Sequence, residues 1–294
     1  MSKGCRVFYV LLILCIPIWA AVHGSQARHQ PLSIEGAVTY VYKSIGGAEL
    51  RLHVFNPPNH ALSMPRPAIV FFFGGGWTTG SVEQFVPQSK YFAERGMVAI
   101  VADYRVFRRQ QTSPFEAMAD AKSAIRWVRS RASELGIDPD RIAAGGGSAG
   151  GHLALSAAVF ESFDEPRENH DISSKPNALV LFNPGVDTAT ARAFGARGTE
   201  GSPLHHVGRD LPPMIILHGK ADATVPYASV EGFCERARKL GNRCDLRGYE
   251  NAVHGFFNPS VEGGKWYSET LLEADHFLTE IGYLPEPTPE AVVQ

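Results

Sequence analysis

Ala144-Gly145-Gly146-Gly147-Ser148-Ala149-Gly150-Gly151-His152 is the stretch whose reading decides the fold. Its centre, Gly146 to Gly150, fits Gly-x-Ser-x-Gly, the pattern of a nucleophile elbow. A short apolar segment, Arg141 to Ala144, precedes it, and a helix-like run, His152 to Phe160, follows. The serine therefore sits on a tight strand-to-helix turn, a conformation few residues tolerate without compensation. Gly146 and Gly150 lack side chains and let strand and helix approach closely. The helix N-terminus aims amide N–H groups at the space above the hydroxyl, where negative charge would develop. The competing reading, a Gly-rich phosphate turn, lacks a Gly-x-x-x-x-Gly-Lys pattern.

Working outward, the chain alternates strand and helix signals. Ala37–Ser44 and Glu49–Phe55 alternate apolar and polar residues around Gly46-Gly47, which predicts a β-hairpin. Ala68–Phe73 is an unbroken apolar run, as expected of a central strand buried on both faces, and ends in Gly74-Gly75-Gly76-Trp77. Val82–Arg95 reads as a helix and Met97–Ala102 as a buried strand. Pro114–Glu134 is the best helix, with Ser113 as N-cap and Pro114 at its first position. Strands follow at Asn177–Phe182, Pro213–His218 and Cys244–Tyr249, with helices at Tyr227–Leu240 and Lys265–Ile281. A hairpin followed by this alternation implies a mostly parallel sheet covered on both faces. Ligands in such sheets bind beyond the carboxyl ends of the strands. Gly74–Gly76, Ser148, His218-Gly219 and Val253-His254 all follow strand ends and so share one rim.

The 294 residues, 20% charged and 44% hydrophobic, have ordinary globular composition. A formal net charge of -2 gives no electrostatic reason to expect nucleic acid or an anionic membrane as partner. Arg105, Arg108 and Arg109 read as a solvated basic loop. Lys3 and Arg6 open an almost wholly apolar run from Val7 to Val22, with small residues at Gly24, Ser25 and Ala27. This is the layout of a cleaved secretory signal, residues 1–27, and the run is short for a spanning anchor. Gln26–Gly36 is polar and reads as mobile; the proline-rich 285–294 tail reads as disordered. Export would remove Cys5 and Cys15 and leave Cys234 and Cys244. Helix rise and strand return, about 9 Å and 10 Å, put these two thiols at one level. A disulfide is allowed there; two separate buried thiols are the alternative.

A serine needs a base. Of eleven histidines, His254 alone lies in a loop after the last strand, between Asn251-Ala252-Val253 and Gly255-Phe256-Phe257. His152 reads as a packing or supporting group and His218 as a buried strand end. The base needs a carboxylate to hold its tautomer. Asp222, just past a buried strand, supplies one; its other reading is a turn cap, and Glu250 is the fallback acid. The order Ser148, Asp222, His254 places the acid before the histidine.

These pieces, with Phe73-Gly74-Gly75-Gly76-Trp77, Asp103-Tyr104-Arg105 and Val253-His254-Gly255-Phe256, resemble the α/β-hydrolase superfamily over about Tyr40 to Ile281. More narrowly the chain resembles the hormone-sensitive-lipase-like and the feruloyl and acetylxylan esterase-like enzymes. The resemblance implies an α/β-hydrolase fold of about eight strands spanning residues 37–284. It implies Ser148 as nucleophile, His254 as base then acid, and Asp222 as orienting carboxylate. The amides of Gly75, Gly76 and Ala149 would form the oxyanion hole. Phe73 stands where the family places histidine, so the loop's side-chain anchor would give way to packing.

The expected activity is that of an exported serine esterase cleaving short-chain acyl or carbohydrate-linked esters through an acyl-enzyme. An amide-cleaving relative on the same triad and a non-catalytic binding protein are the alternatives. Triad chemistry needs no metal or cofactor. The partner expected is a small-molecule or carbohydrate ester, with no nucleic acid and no stable membrane span after signal cleavage. Asp187–Leu211, where this fold often carries a lid, holds few large apolar groups and suggests a small or polar acyl substrate.

Overall fold

A hairpin opens the fold: β1 (Val38–Ile45) and β2 (Ala48–Phe55) pair antiparallel across Gly46-Gly47, both in the left-handed region. There follow β3 (Arg66–Phe72), α1 (Val86–Glu94), β4 (Val98–Ala102), α2 (Phe107–Gln110), α3 (Pro114–Ser130), β5 (Ile137–Gly147) and α4 (Ala149–Val159). The chain closes with β6 (Ala178–Phe182), β7 (Met214–Gly219), α5 (Tyr227–Lys239), β8 (Cys244–Tyr249) and α6 (Lys265–Glu280). This computed structural model describes Met1 and residues 30–286. The expected signal segment, with Cys5 and Cys15, and the tail from 287 onward lie outside the described residues.

One eight-stranded sheet has the order β1-β2-β4-β3-β5-β6-β7-β8. β2 pairs antiparallel with both neighbours, and every other pairing is parallel. The winding direction reverses at β3: the chain steps outward to β4, then back past β3 to β5. In open α/β sheets the ligand crevice lies at such a reversal. The crevice here lies between the loop after β3 and the turn after β5. Every side chain of β4, β6 and β7 is buried, as their unbroken apolar runs require.

Several elements differ from the sequence pattern in extent; α1, for one, begins at Val86 behind a Val82–Phe85 3₁₀ turn rather than at Val82. β5 continues through Gly145-Gly146-Gly147, each paired to β6 and the first two also to β3. Glycines carry no side-chain signal, so only Arg141–Ala144 shows the strand. α3 ends at Ser130 rather than Glu134, and a turn through Gly136 leads into β5. Its start follows the rules: Ser113 and Glu116 form a capping box. Among the described residues no helix is long and apolar enough to cross a membrane.

The Arg105–Arg109 stretch is not a solvated basic loop. Arg105 is buried on Asp120, donating through Nε (2.8 Å) and Nη2 (2.9 Å), and Arg109 pairs with Asp103. Only Arg108 of the three is exposed. Asp120 is fully buried and also receives Lys43 at 2.8 Å. Nor is the start of the described chain free: the Gln30 amide donates to Gly80 and accepts from Val82. Cys234 on α5 and Cys244 on β8 are joined by a disulfide across a Cα separation of 5.5 Å.

Removing one charge from a buried ionic cluster leaves the others uncompensated, at about 3 kcal/mol or more. Asp120→Asn, which keeps shape and loses charge, is expected to destabilise by about that amount in urea unfolding. A change under about 0.5 kcal/mol, the size of an ordinary surface substitution, would contradict this account.

Candidate active site

Ser148 occupies the turn between β5 and α4 at φ 53° and ψ -117°, far from relaxed backbone. Close packing holds it there. A Cβ on Gly150 would overlap the carbonyls of Phe72 and Phe73, and one on Gly146 would meet Phe72 O at 2.5 Å. Neither glycine is needed for a positive φ; both are needed so that β3, β5 and α4 can converge. The Ser148 N–H donates to Phe182 O (3.0 Å), and its carbonyl accepts from His152 (2.9 Å) and Gly185 (3.2 Å).

The structure brings Ser148, His254 and Asp222 together. Ser148 Oγ lies 2.9 Å from His254 Nε2, and His254 Nδ1 lies 2.7 Å from Asp222 Oδ2. Donor and acceptor logic then sets the tautomer: Nδ1–H donates to the carboxylate and Nε2 accepts from the hydroxyl. Asp222 Oδ1 also accepts from the amides of Thr224 (2.8 Å) and Val225 (2.9 Å). It is thus turn cap and histidine partner at once. Burial pushes its carboxyl up, but the hydrogen bond from His254 and the two amides outweigh burial and hold it below the usual range. His218 is buried behind it, donating Nε2–H to Val225 O (2.9 Å), and lies 3.4 Å from Asp222 Oδ2. Glu250, the fallback acid, instead pairs with Lys220 at the surface.

Gly75 and Gly76 follow β3 beside the elbow. Gly75 has φ 132°, and a Cβ there would overlap the Thr79 carbonyl. Among the described residues the N–H groups of Gly75, Gly76 and Ala149 donate to no protein group. They are open to receive an oxyanion. Gly74 N–H is not open; it donates to Gln84 Oε1 at 2.6 Å. The loop anchor is therefore more than packing. Phe73 stacks on Tyr104 with centroids 4.1 Å apart, and Tyr104 Oη donates to Phe73 O (2.7 Å). Gln84 escaped the sequence reading: it sits in a Val82–Phe85 turn with no motif to mark it.

Asp187–Leu211 carries two short 3₁₀ turns, Arg192–Arg197 and Pro203–His205. Of its few large apolar groups, Phe194 is buried edge-on against Trp77 (4.9 Å) and against His152 (5.4 Å). His152 pins the segment. Its Nδ1 accepts from Trp77 Nε1 (3.3 Å), and Nε2–H donates to Gly201 O (2.8 Å).

A fold wound this way, with serine, histidine and carboxylate hydrogen-bonded in series at its elbow, defines the α/β-hydrolase class. The family model described as BD-FAE matches residues 52–190, and that of the dienelactone hydrolase family matches 178–277. The chain is 34% identical to carboxylesterase NlhH of Mycobacterium tuberculosis over 239 residues, 72% of this chain and 73% of that protein. It is 31% identical to the probable carboxylic ester hydrolase LipM of the same organism, covering 80% of this chain but 59% of LipM. The chain thus spans about three-fifths of that longer relative. Thermogutta terrifontis esterase 2 superposes with a TM-score of 0.85 at 46% identity in its native form, covering 90% of this chain and 99% of that one. Further structures of that esterase are described as propionate-bound, butyrate-bound and phosphorylated by paraoxon. The chain belongs to the esterases of the α/β-hydrolase fold.

Burial lowers the His152 imidazole to about 4, against the opposing pull of the Gly201 carbonyl. An unfolded imidazole titrates near 6.5. Between those values the unfolded chain binds the extra proton, so acid favours unfolding. Stability is complete above about pH 6.5 and declines toward pH 4, by up to about 3 kcal/mol for this group. His53, also lowered to about 4 by burial first and Arg51 second, adds to the decline. His152→Asn is expected to flatten the fall in unfolding free energy across that window. A slope equal to that of the unaltered protein would contradict the assignment.

Proposed function

We propose that the protein is an exported serine carboxylesterase that hydrolyses short-chain acyl esters, including carbohydrate-linked ones, through an acyl-enzyme at Ser148. The observation that carries this reading is the unbroken chain Asp222–His254–Ser148 beside three undonated N–H groups. His254 Nε2 takes the hydroxyl proton as Oγ attacks the ester carbonyl. Asp222 stabilises the imidazolium that forms, and Gly75, Gly76 and Ala149 receive the developing oxyanion. His254 then protonates the leaving alcohol. Water, activated by the same imidazole, attacks the acyl-serine; its collapse returns the serine and releases the acid.

Short acyl chains are favoured by Trp77. Its indole lies against Gly185, whose N–H holds the Ser148 carbonyl, and is backed by His152 and Phe194. That aromatic wall leaves little depth behind the nucleophile. The propionate- and butyrate-bound forms of the Thermogutta esterase point the same way. A polar groove of about 1220 Å³ lies at the β1–β2 turn, lined by Gln30, Glu49, Arg51, Arg108 and Gln110 and by none of the triad residues. Export is supported by the charged and apolar N-terminal pattern and by the Cys234–Cys244 bridge, which suits an oxidising compartment.

Ser148→Ala is expected to lose fluorophosphonate labelling and to lower kcat/KM on p-nitrophenyl acetate by about 10⁴-fold or more. Acetyl to butyryl esters should exceed the octanoyl ester by at least about tenfold in the unaltered protein, and Trp77→Ala should narrow that gap. Unchanged hydrolysis in Ser148→Ala would overturn the mechanism; equal rates on the octanoyl ester would overturn the chain-length claim. N-terminal sequencing of the secreted product should begin near residue 25–28, and an intact N-terminus would count against export.

A further inference from the structure

Two loops must be in register for the chemistry: the one that offers Gly75 and Gly76, and the one that carries His254. They are far apart in sequence, and α4 and β5 lie between them. A pair of side-chain amides joins them. Gln84 Oε1 accepts from Gly74 N–H (2.6 Å), and Gln84 Nε2 donates to Asn258 Oδ1 (3.1 Å). Asn258 Nδ2 in turn donates to Gly255 O (2.7 Å), on the residue after His254. Each amide uses its oxygen and its nitrogen once, so both orientations are set by the chain of bonds. The far side of the same residue is held as well: Gly255 N–H donates to the buried Asn183 Oδ1 (3.3 Å).

The apolar layer beneath runs parallel to this polar one. Phe85, next to Gln84, stacks on Phe257, next to Asn258, with centroids 5.4 Å apart. Both rings contact Phe182 at the end of β6. Phe257 also fills the space over Gly147, where a Cβ would meet its ring. Gly74 lies against the nucleophile, since a Cβ there would stand 3.4 Å from Ser148 Cβ. The relay therefore starts beside Ser148 and ends beside His254.

We propose that Gln84 and Asn258 are positioning residues that set the distance between the oxyanion loop and the histidine loop. The proposal rests on the esterase reading above. Neither residue touches substrate; each acts through backbone it holds. Because a carboxylate at position 84 keeps an acceptor for Gly74 but loses the donor to Asn258, Glu cuts one link and Ala cuts both.

Rates are to be normalised to active sites titrated with a fluorophosphonate, so that misfolded protein is not counted. Gln84→Ala and Asn258→Ala should each lower kcat on p-nitrophenyl acetate about ten- to a hundredfold with KM within about twofold, as expected for misplacement. Gln84→Glu should fall between Gln84→Ala and the unaltered protein. The double variant should be no more than about twofold worse than the weaker single, because the two links act in series. A second measurement needs no turnover: exchange of the Gly74 amide, followed by NMR, should quicken at least about tenfold in Gln84→Ala. Normalised kcat within twofold for both single variants would overturn the proposal. So would losses that multiply in the double variant, or an unchanged Gly74 exchange rate. If the unaltered protein hydrolyses no ester, the esterase reading fails, while the exchange rate still decides whether the relay holds the loop.

Discussion

The site depends on one steric constraint: β3, β5 and the start of α4 meet at a point where no side chain fits. Gly146 and Gly150 leave the space that the Phe72 and Phe73 carbonyls occupy. That contact forces Ser148 into its left-handed turn at the start of α4, directly before Ala149. Ser148 and the N–H groups proposed to receive the oxyanion are thus set by the same contact. The cost of the turn is of the order of 1–3 kcal/mol and is offset by the sheet on either side. β6, fully buried, and β3, buried from Pro67 onward, leave the turn nowhere to relax.

Charge is used sparingly and mostly away from the chemistry. The buried ions at Asp120, Lys43 and Arg105 tie β1, the end of β4 and α3, on the flank of the sheet. Around Ser148 the holding groups are neutral: Gln84, Asn258, Asn183 and two neutral histidines, His152 and His218. Asp222 is the single buried carboxylate in direct contact with the imidazole. A neutral surround leaves its field on His254 uncontested, so ionic support elsewhere does not disturb the tautomer.

Much of this was legible in the sequence, for identifiable reasons. Apolar runs mark β3, β4, β6 and β7 because both faces of the sheet are covered. The elbow, His254 and Asp222 each follow a strand end, and the topology of parallel sheets brings such positions to one rim. The relay was not legible. Gln84 and Asn258 are 174 positions apart, and a half-buried amide has no periodicity to show. The paired states of Arg105 and Arg109 were hidden similarly, since a guanidinium in a loop looks solvated until its carboxylate is placed. β5 is underread at its end because its last three residues are glycine, and at its start because Ile137–Asp140 is mostly polar with a proline.

The 187–211 segment shows why composition alone misleads about a lid. Counted along the chain it has few large apolar residues; in space a single one, Phe194, makes the contact that matters. It seats between Trp77 and His152, and Arg197 lies over Phe115 at 3.9 Å, so the segment is held by rings at two points. A lid that opens must expose what it covers. Here opening would uncover Trp77 and Phe194 and break the bond of His152 to Gly201. Fully exposing one large apolar side chain costs about 1.5–3 kcal/mol, and exchanging the lost hydrogen bond for water adds about 0.5–1.5. The sum is several kcal/mol, which leaves the open form a small fraction of the population. The segment is a fixed wall of the site, and its Phe194 helps hold Trp77 in the left-handed conformation (φ 57°) that follows the glycine loop.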